Sequence, residues 1–210
     1  MSGWSLDPAI VAFDRMLRTL CAPAVSAGPV PGEDLPPPQL DERERRQAAA
    51  LMRVNHTGEV CAQALYQGQA LTASDEAVRS IMEQAAHEEA LHLAWTASRV
   101  RELGARVSVL DPFFYAGAFV LGAAAGRLGD RWSLGFLRET ERQVEGHLQG
   151  HLAALPQADQ KSRAIVERMR DDEARHAATA QAHGAAQLPA PISFLMRAAA
   201  KLMTGSTYWI

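Results

Sequence analysis

Two short segments pair a glutamate with a histidine three residues later, EALH at residues 89–92 and EARH at residues 173–176. Side chains three residues apart lie on one face of an α-helix, so each pair can bind the same metal ion or adjacent ions. A further glutamate precedes each pair, Glu59 by thirty residues and Glu141 by thirty-two. This repeated order predicts four carboxylates and two imidazoles that meet from four helices.

Four carboxylates that lie together inside a helix bundle need positive charge beside them. Buried carboxylates are costly unless they are paired or coordinated, and two divalent ions would balance four negative charges. Carboxylate and imidazole ligands suit iron and also manganese. Two irons can share the electrons that reduce dioxygen. The sequence therefore predicts a di-metal site whose ligands are Glu59, Glu89, His92, Glu141, Glu173 and His176.

A third histidine near this pattern is His147, six residues after Glu141. Its sequence position allows contact with a metal ligand, a place at the mouth of the site, or a surface role. The segment HEEALH resembles a zinc protease motif, but the fourth residue after His87 is Leu91 rather than histidine. The spacing therefore excludes zinc protease chemistry.

The remaining histidines and two further acids receive no ligand role. We expect His56, His151 and His183 to be solvated or to cap helices. Glu88 and Glu145 lie one helical step away from the inward faces of their helices, so we do not expect them to bind metal.

Helix-favouring residues dominate the chain, and alternating apolar runs are lacking, which predicts an all-α protein. Capping residues predict four long helices, each with an apolar stripe that a glutamate interrupts near its middle. We expect a ferritin-like four-helix bundle within residues 41–210. The predicted helices run from Asp41 to about Thr72, from Ser74 or Asp75 to Gly104, from Asp130 to Leu155, and from Asp159 to Gly184.

Segments outside the four helices are apolar or rich in proline. Residues 1–40 are predicted to hold a short helix at 8–20 and a proline-rich linker, without the pattern of a secretory signal. The uncharged segment 112–126 is too short to cross a hydrocarbon core of about 30 Å as a helix. A final amphipathic helix is expected at 193–203. Both segments suit helices at a membrane interface, although core helices or an oligomer interface are alternatives. The glycines at 122 and 126 would equally allow close packing between subunits.

The charge and cysteine content exclude some classes of protein. A formal net charge of −3 gives no overall basic field, so nucleic acid is not expected as a partner. The two cysteines form no CxxC motif, which leaves a disulfide framework or a zinc–thiolate site unsupported and favours a reducing compartment.

Four motifs occur in an order that resembles one particular family. They are RVNHTGE at 53–59, the ExxH at 89–92, Glu141 followed by His147, and MRDDEARH at 169–176. Together they resemble the demethoxyubiquinone hydroxylases, the ferritin-like di-iron monooxygenases of ubiquinone biosynthesis. The resemblance covers residue 41 to the C-terminus and carries over the six metal ligands, residue by residue.

The resemblance implies a specific reaction. Members of that family use two irons and O2 to hydroxylate the ring of a polyprenylated methoxy-methyl-benzoquinol, and they are peripheral membrane proteins. It further implies NADH as electron source, although no GxGxxG turn is present. For a bacterial chain the expected location is the cytoplasmic face of the cell membrane. A homo-oligomer or other ubiquinone-biosynthesis proteins are possible partners.

Three alternatives remain open from the sequence. One is a ferritin-like protein of iron storage or peroxide protection. Another is a di-iron oxidase that acts on RNA or acyl chains, against which the apolar segments and the lack of a basic patch argue. The third is a bundle without metal, which would tolerate loss of its buried glutamates.

Overall fold

The computed structural model describes residues 7–21 and 28–210, without the side chains of residues 8 and 9. Within this part of the chain, the only regular elements are α-helices, so the predicted all-α class is confirmed. The seven described helices are α1 (Asp7–Cys21), α2 (Glu42–Thr72), α3 (Glu76–Glu102), α4 (Asp111–Arg127), α5 (Asp130–Ala154), α6 (Gln160–Ala182) and α7 (Ala190–Thr207).

Side-chain caps set the start of three bundle helices, as predicted. Asp41 and Glu44 form a capping box at the start of α2. Asp75 accepts hydrogen bonds from two backbone N–H groups at the start of α3, and Asp159 accepts one from Ser162 in α6. Because these carboxylates satisfy N–H groups that lack a partner within the helix, the sequence alone locates the three starts.

The bundle consists of two helical hairpins, α2 with α3 and α5 with α6. Helix α4 connects the hairpins and packs along α2, while α1 and α7 also pack on α2 from outside. One long connection between two hairpins is the ferritin-like arrangement. Two apolar clusters fill the interior, one around Tyr66 and Met82 and the other around Met52 and Met169. The glutamates and histidines of the predicted site lie between them.

Helix α4 includes the uncharged segment 112–126 and lies very close to α2. A Cβ atom at Gly122 would collide with the carbonyl of Leu65, and one at Gly126 with the hydroxyl of Thr72. These glycines therefore allow close packing within the chain, rather than only between subunits. The opposite face of α4 is exposed and apolar.

Helix α7 is longer than the predicted 193–203. Pro189 is the N-cap and Pro191 lies in the first turn, where a missing N–H costs no hydrogen bond. The prediction treated both prolines as preceding the helix, which placed its start too late. In the described ranges, no helix is long and apolar enough to cross a membrane.

Candidate metal centre

The structure brings all six predicted ligands together in the middle of the bundle. Helix α2 contributes Glu59, α5 contributes Glu141, and α3 and α6 each contribute one Glu-x-x-His pair. All six residues are buried, and Glu89 has no exposed surface. The buried ligand atoms come from four separate helices, so the bundle itself fixes their relative positions.

The six residues form two overlapping groups of four. One group is Glu59, Glu89, His92 and Glu173, and the other is Glu89, Glu141, Glu173 and His176. In each group, the candidate ligand atoms lie within 4.8 Å of one another. Glu89 and Glu173 belong to both groups, so each can bridge two ions. The geometry therefore suits a pair of adjacent metal ions.

Each imidazole directs Nδ1 toward the carboxylates. His92 Nδ1 lies 3.1 Å from Glu89 and 3.3 Å from Glu173. His176 Nδ1 lies 3.2 Å from Glu173 and 3.4 Å from both Glu89 and Glu141. The two half-sites are thus built alike around the shared glutamates.

The electrostatics favour positive charge at this place. Burial raises the pKa of Glu59, and the nearby Glu89 raises it further. Burial and Glu173 likewise raise the pKa of Glu141. Burial by itself would lower the pKa of His92, but Glu89 and the other carboxylates raise it well above its ordinary value. Glu59 and Glu141 thus favour their protonated forms, whereas, despite its burial, Glu59 and the neighbouring histidines lower the pKa of Glu89. A core that draws protons in this way would also attract metal cations.

Two further carboxylates orient the imidazoles from outside. Asp172 accepts a hydrogen bond from His92 Nε2 at 3.1 Å, and Glu88 accepts one from His176 Nε2 at 2.8 Å. Each acid immediately precedes the glutamate of an ExxH pair and contacts the histidine of the other pair. These hydrogen bonds leave Nδ1 free to bind metal, as outer carboxylates do at many metal sites.

From the sequence we assigned no role to Asp172 and only excluded Glu88 as a ligand. A signal exists, because an acid directly precedes both Glu89 and Glu173. Which histidine each acid contacts depends on how α3 and α6 align, and the sequence does not give that alignment.

Tyr66 and the free oxygen of Glu89 complete the centre. The Tyr66 hydroxyl donates a short hydrogen bond to Glu141, so it orients that carboxylate. Glu89 Oε1 is buried and makes no hydrogen bond within the described residues, although His176 Nδ1 lies 3.4 Å away. A buried carboxylate oxygen without a donor is costly, and a bound cation would satisfy it. The donor set and this oxygen both fit a metal pair.

The remaining histidines lie outside both groups of ligands. His147 packs its ring 3.9 Å from that of His151, and its buried Nε2 has no hydrogen-bond partner in the described part of the chain. Its predicted link to the metal site therefore stays a prediction. His151, in contrast to His147, has a hydrogen-bond partner, because its Nδ1 lies 2.7 Å from Asn55 Oδ1.

The expectation that His56 and His151 are solvated is wrong. Both are buried, because polar side chains accommodate them: Asn55 contacts His151, while Thr96 and Asp111 contact His56. Burial lowers the pKa of His56 to about 4 and that of His151 to about 3. His183 is exposed at the C-cap of α6, as expected.

Comparisons with known proteins agree with the geometry. Residues 46–207 match the family model described as ubiquinone biosynthesis protein COQ7. A Nitrosomonas europaea protein named 3-demethoxyubiquinol 3-hydroxylase is 57% identical over 98% of this chain and 99% of its own length. A Chromobacterium violaceum protein of the same name is 58% identical over 97% of this chain and 98% of its own. This chain belongs to the COQ7 family of ubiquinone biosynthesis proteins.

Proposed function

We propose that this chain is a di-iron monooxygenase that hydroxylates the ring of a polyprenylated methoxy-methyl-benzoquinol, the demethoxyubiquinol of ubiquinone biosynthesis. The main support is the pair of ligand groups that share Glu89 and Glu173. The names of the relatives, which the chain matches over almost their whole length, support the choice of substrate.

The six buried ligands would hold two irons. Glu59 and His92 would bind one iron, Glu141 and His176 the other. Glu89 and Glu173, which belong to both ligand groups, would complete both sites. When bound, the irons would supply the electrons and the activation of O2 that ring hydroxylation requires. We propose NADH as the ultimate electron source.

The protein's own residues prepare this centre. Asp172 and Glu88 orient the imidazoles, and Tyr66 orients Glu141. The apolar clusters on both sides exclude water, so charge interactions in the centre are strong. The chain therefore positions the ligands and keeps water away from them. The quinol must approach this centre from outside the four-helix core.

A single-turnover assay tests the reaction. Iron-loaded protein is mixed with detergent-solubilised demethoxyubiquinol, a reductant and ¹⁸O2, and the product is analysed by mass spectrometry. The expected product carries one ¹⁸O atom on the ring, and Glu89→Gln forms none. Unlabelled product, or equal product from Glu89→Gln, would contradict the proposal.

We also propose that the chain is a peripheral membrane protein, at the cytoplasmic face in a bacterium. The support is a set of exposed apolar side chains on the outer helices α1, α4 and α7. Helix α1 packs Met16 and Leu20 against the core, but its other large apolar side chains, among them Phe13, are exposed. Basic residues on α7 flank its apolar face, as at lipid interfaces. The exposed residues of these helices include Ile10, Phe13, Leu17, Phe113, Val120, Leu121, Phe194, Leu195 and Leu202, and Trp209 follows the end of α7.

Vesicle flotation tests this location. The full chain should float with phosphatidylcholine vesicles, and Phe113→Ser with Leu121→Ser should weaken binding. A second copy of the chain or another ubiquinone-biosynthesis protein could cover these faces instead. Dimerisation without vesicle binding would contradict membrane attachment.

A further inference from the structure

An open groove of about 870 Å³ lies at one end of the bundle, away from the ligand cluster. The start of α2, the turn after α3 and the C-terminal residues form its walls. Arg53, on its wall, precedes Glu59 by six residues, which is about 9 Å along the helix axis. The groove is therefore a separate feature that the metal centre does not use.

Positive charge dominates the groove. Four arginines line it, and Glu42 is the only acid among the lining residues. Glu42 binds both Arg45 and Arg46, each at 2.7 Å. We expected no basic patch from the sequence. Locally that expectation is wrong, because the arginines all come from α2 and the distant segments that complete the groove bring no acid. The four arginines are Arg43, Arg45, Arg46 and Arg53.

Two of the arginines have no carboxylate partner among the described residues. Arg43 is exposed and makes no ion pair there. Arg53 donates to the backbone carbonyls of Arg106, at 2.9 Å, and Tyr208, at 3.0 Å. Burial, followed by the charge of Arg106, lowers the pKa of Arg53. The groove thus retains positive charge that an anion would neutralise.

Apolar and aromatic side chains border the groove. Tyr208 and Trp209 belong to its lining, and the Trp209 side chain is 79% exposed. The turn after α3 continues past exposed Val107 and Val109 to exposed Phe113 at the start of α4. Tryptophan beside arginine is typical of the boundary between lipid headgroups and acyl chains.

We infer that this groove binds the phosphate headgroup of an anionic phospholipid. The guanidinium groups of Arg43 and Arg46 contact the phosphate, while Trp209 and the neighbouring valines enter the upper acyl region. Arg46 pairs with Glu42 through Nε, and because its side chain is 75% exposed, its terminal nitrogens remain available to the phosphate. Arg53 holds the C-terminal residues in place through its carbonyl contacts. This inference rests on the proposed membrane attachment and adds a preference for negatively charged lipid.

Flotation with two kinds of vesicle tests the inference. Full-length protein is compared on phosphatidylcholine and on phosphatidylcholine mixed with phosphatidylglycerol, at constant ionic strength. Each basic residue at an anionic surface strengthens binding roughly fivefold, so Arg43→Gln with Arg46→Gln should lose about 25-fold on the mixed vesicles. Binding to neutral vesicles should be unchanged.

A matched control removes two arginines elsewhere, Arg79→Gln with Arg170→Gln. It should bind the mixed vesicles within about twofold of wild type, because screening limits the effect of distant charges. An equal loss in the control would indicate a general charge effect and overturn the site. The site would also be overturned if the groove variant bound the mixed vesicles as strongly as wild type. Release of wild-type protein from the mixed vesicles by inorganic phosphate, at constant ionic strength, would overturn it as well.

Hydroxylation of detergent-solubilised demethoxyubiquinol is measured in parallel. The groove variant should retain wild-type activity, because its substitutions lie outside the metal centre. Inactive wild-type protein would contradict the proposed reaction, whereas loss of lipid charge preference alone would contradict only the groove.

Discussion

The two halves of the candidate metal centre share a plan but differ in how exposed their outer carboxylates are. His92 is almost fully buried, and its partner Asp172 is held by Arg168 at 3.0 Å and Arg175 at 2.7 Å. His176 is slightly more exposed. Its partner Glu88 is held by Arg175 at 3.1 Å and by Gln84 at 3.0 Å, but the Glu88 side chain retains 26% of its surface. Both outer carboxylates are held by two donors besides their histidines, so the halves differ mainly in exposure: the His92 half is sealed, and the His176 half lies closer to solvent.

This difference in exposure indicates that the two ions, although held by the same types of ligand, would be bound with different strength. The sealed half is suited to hold its ion tightly, because the carboxylate that orients His92 is almost fully buried. The more open half can adjust its ligands more easily. Metal affinity and its response to mutation should therefore differ between the halves.

The largest effect should follow from removing a shared ligand rather than an unshared one. Glu89→Ala removes a ligand from both halves, so we expect loss of both irons, whereas Glu59→Ala should retain about one iron per chain. Iron per chain is measured by plasma mass spectrometry after gel filtration. Glu145→Ala, on α5 but outside both groups, is the control with normal iron. Equal iron in Glu89→Ala and Glu59→Ala would contradict the shared role.

The outer carboxylates should give the next largest effect. Loss of such a partner weakens metal affinity by about 10- to 100-fold, and we expect Asp172→Asn near the upper end and Glu88→Gln near the lower. Competition with a chelator measures both affinities. Asp171→Asn, its exposed neighbour, should leave affinity unchanged. A larger loss of metal affinity in Glu88→Gln than in Asp172→Asn would contradict the conclusion that the His92 half holds its ion more tightly.

Removing one hydroxyl from the His176 half should have a smaller effect. Tyr66→Phe leaves Glu141 without its donor, which should cost about 1 kcal/mol, or roughly fivefold in iron affinity. Tyr115→Phe is the matched control, because its hydroxyl donates to Gln67 outside the centre. It should not change iron affinity. Equal iron affinity in both variants would show that Tyr66 does not orient Glu141.

The smallest expected effect is a difference in acid stability of the metal-free protein. Burial opposes ionisation of Asp172, but hydrogen bonds from His92 and Arg168 lower its pKa to about 2. An acid whose pKa is lowered in the folded state stabilises the fold above its ordinary value of about 3.9. That contribution is lost as the pH falls toward 2.

Urea unfolding between pH 5 and pH 2 measures this contribution. Wild type should lose more stability over the range than Asp172→Asn, which cannot titrate there. Identical pH profiles for the two proteins would contradict the ion-pair assignment of Asp172.

Much of the bundle and the ligand set follows from the sequence, because local rules govern both. Caps at Asp41, Asp75 and Asp159 define helix starts, and the repeated ExxH spacing needs only helical geometry. The burial of His56 and His151 does not follow, since it depends on polar partners from other helices.

The same limit applies to contacts that depend on three-dimensional packing. The crossed contacts of Glu88 and Asp172 require the alignment of α3 with α6. The basic groove requires α2 to meet the C-terminal residues, which are far away in the sequence. Neither contact has a periodic pattern that a single sequence could display.

The most direct test of the metal centre is the iron content of protein purified from iron-supplied cells. Wild type is compared with Glu173→Ala and with Glu167→Ala, an exposed glutamate on the same helix. We expect about two irons per chain in wild type and Glu167→Ala, and little or none in Glu173→Ala. Wild-type protein without iron, or Glu173→Ala with a full complement, would contradict the di-iron centre.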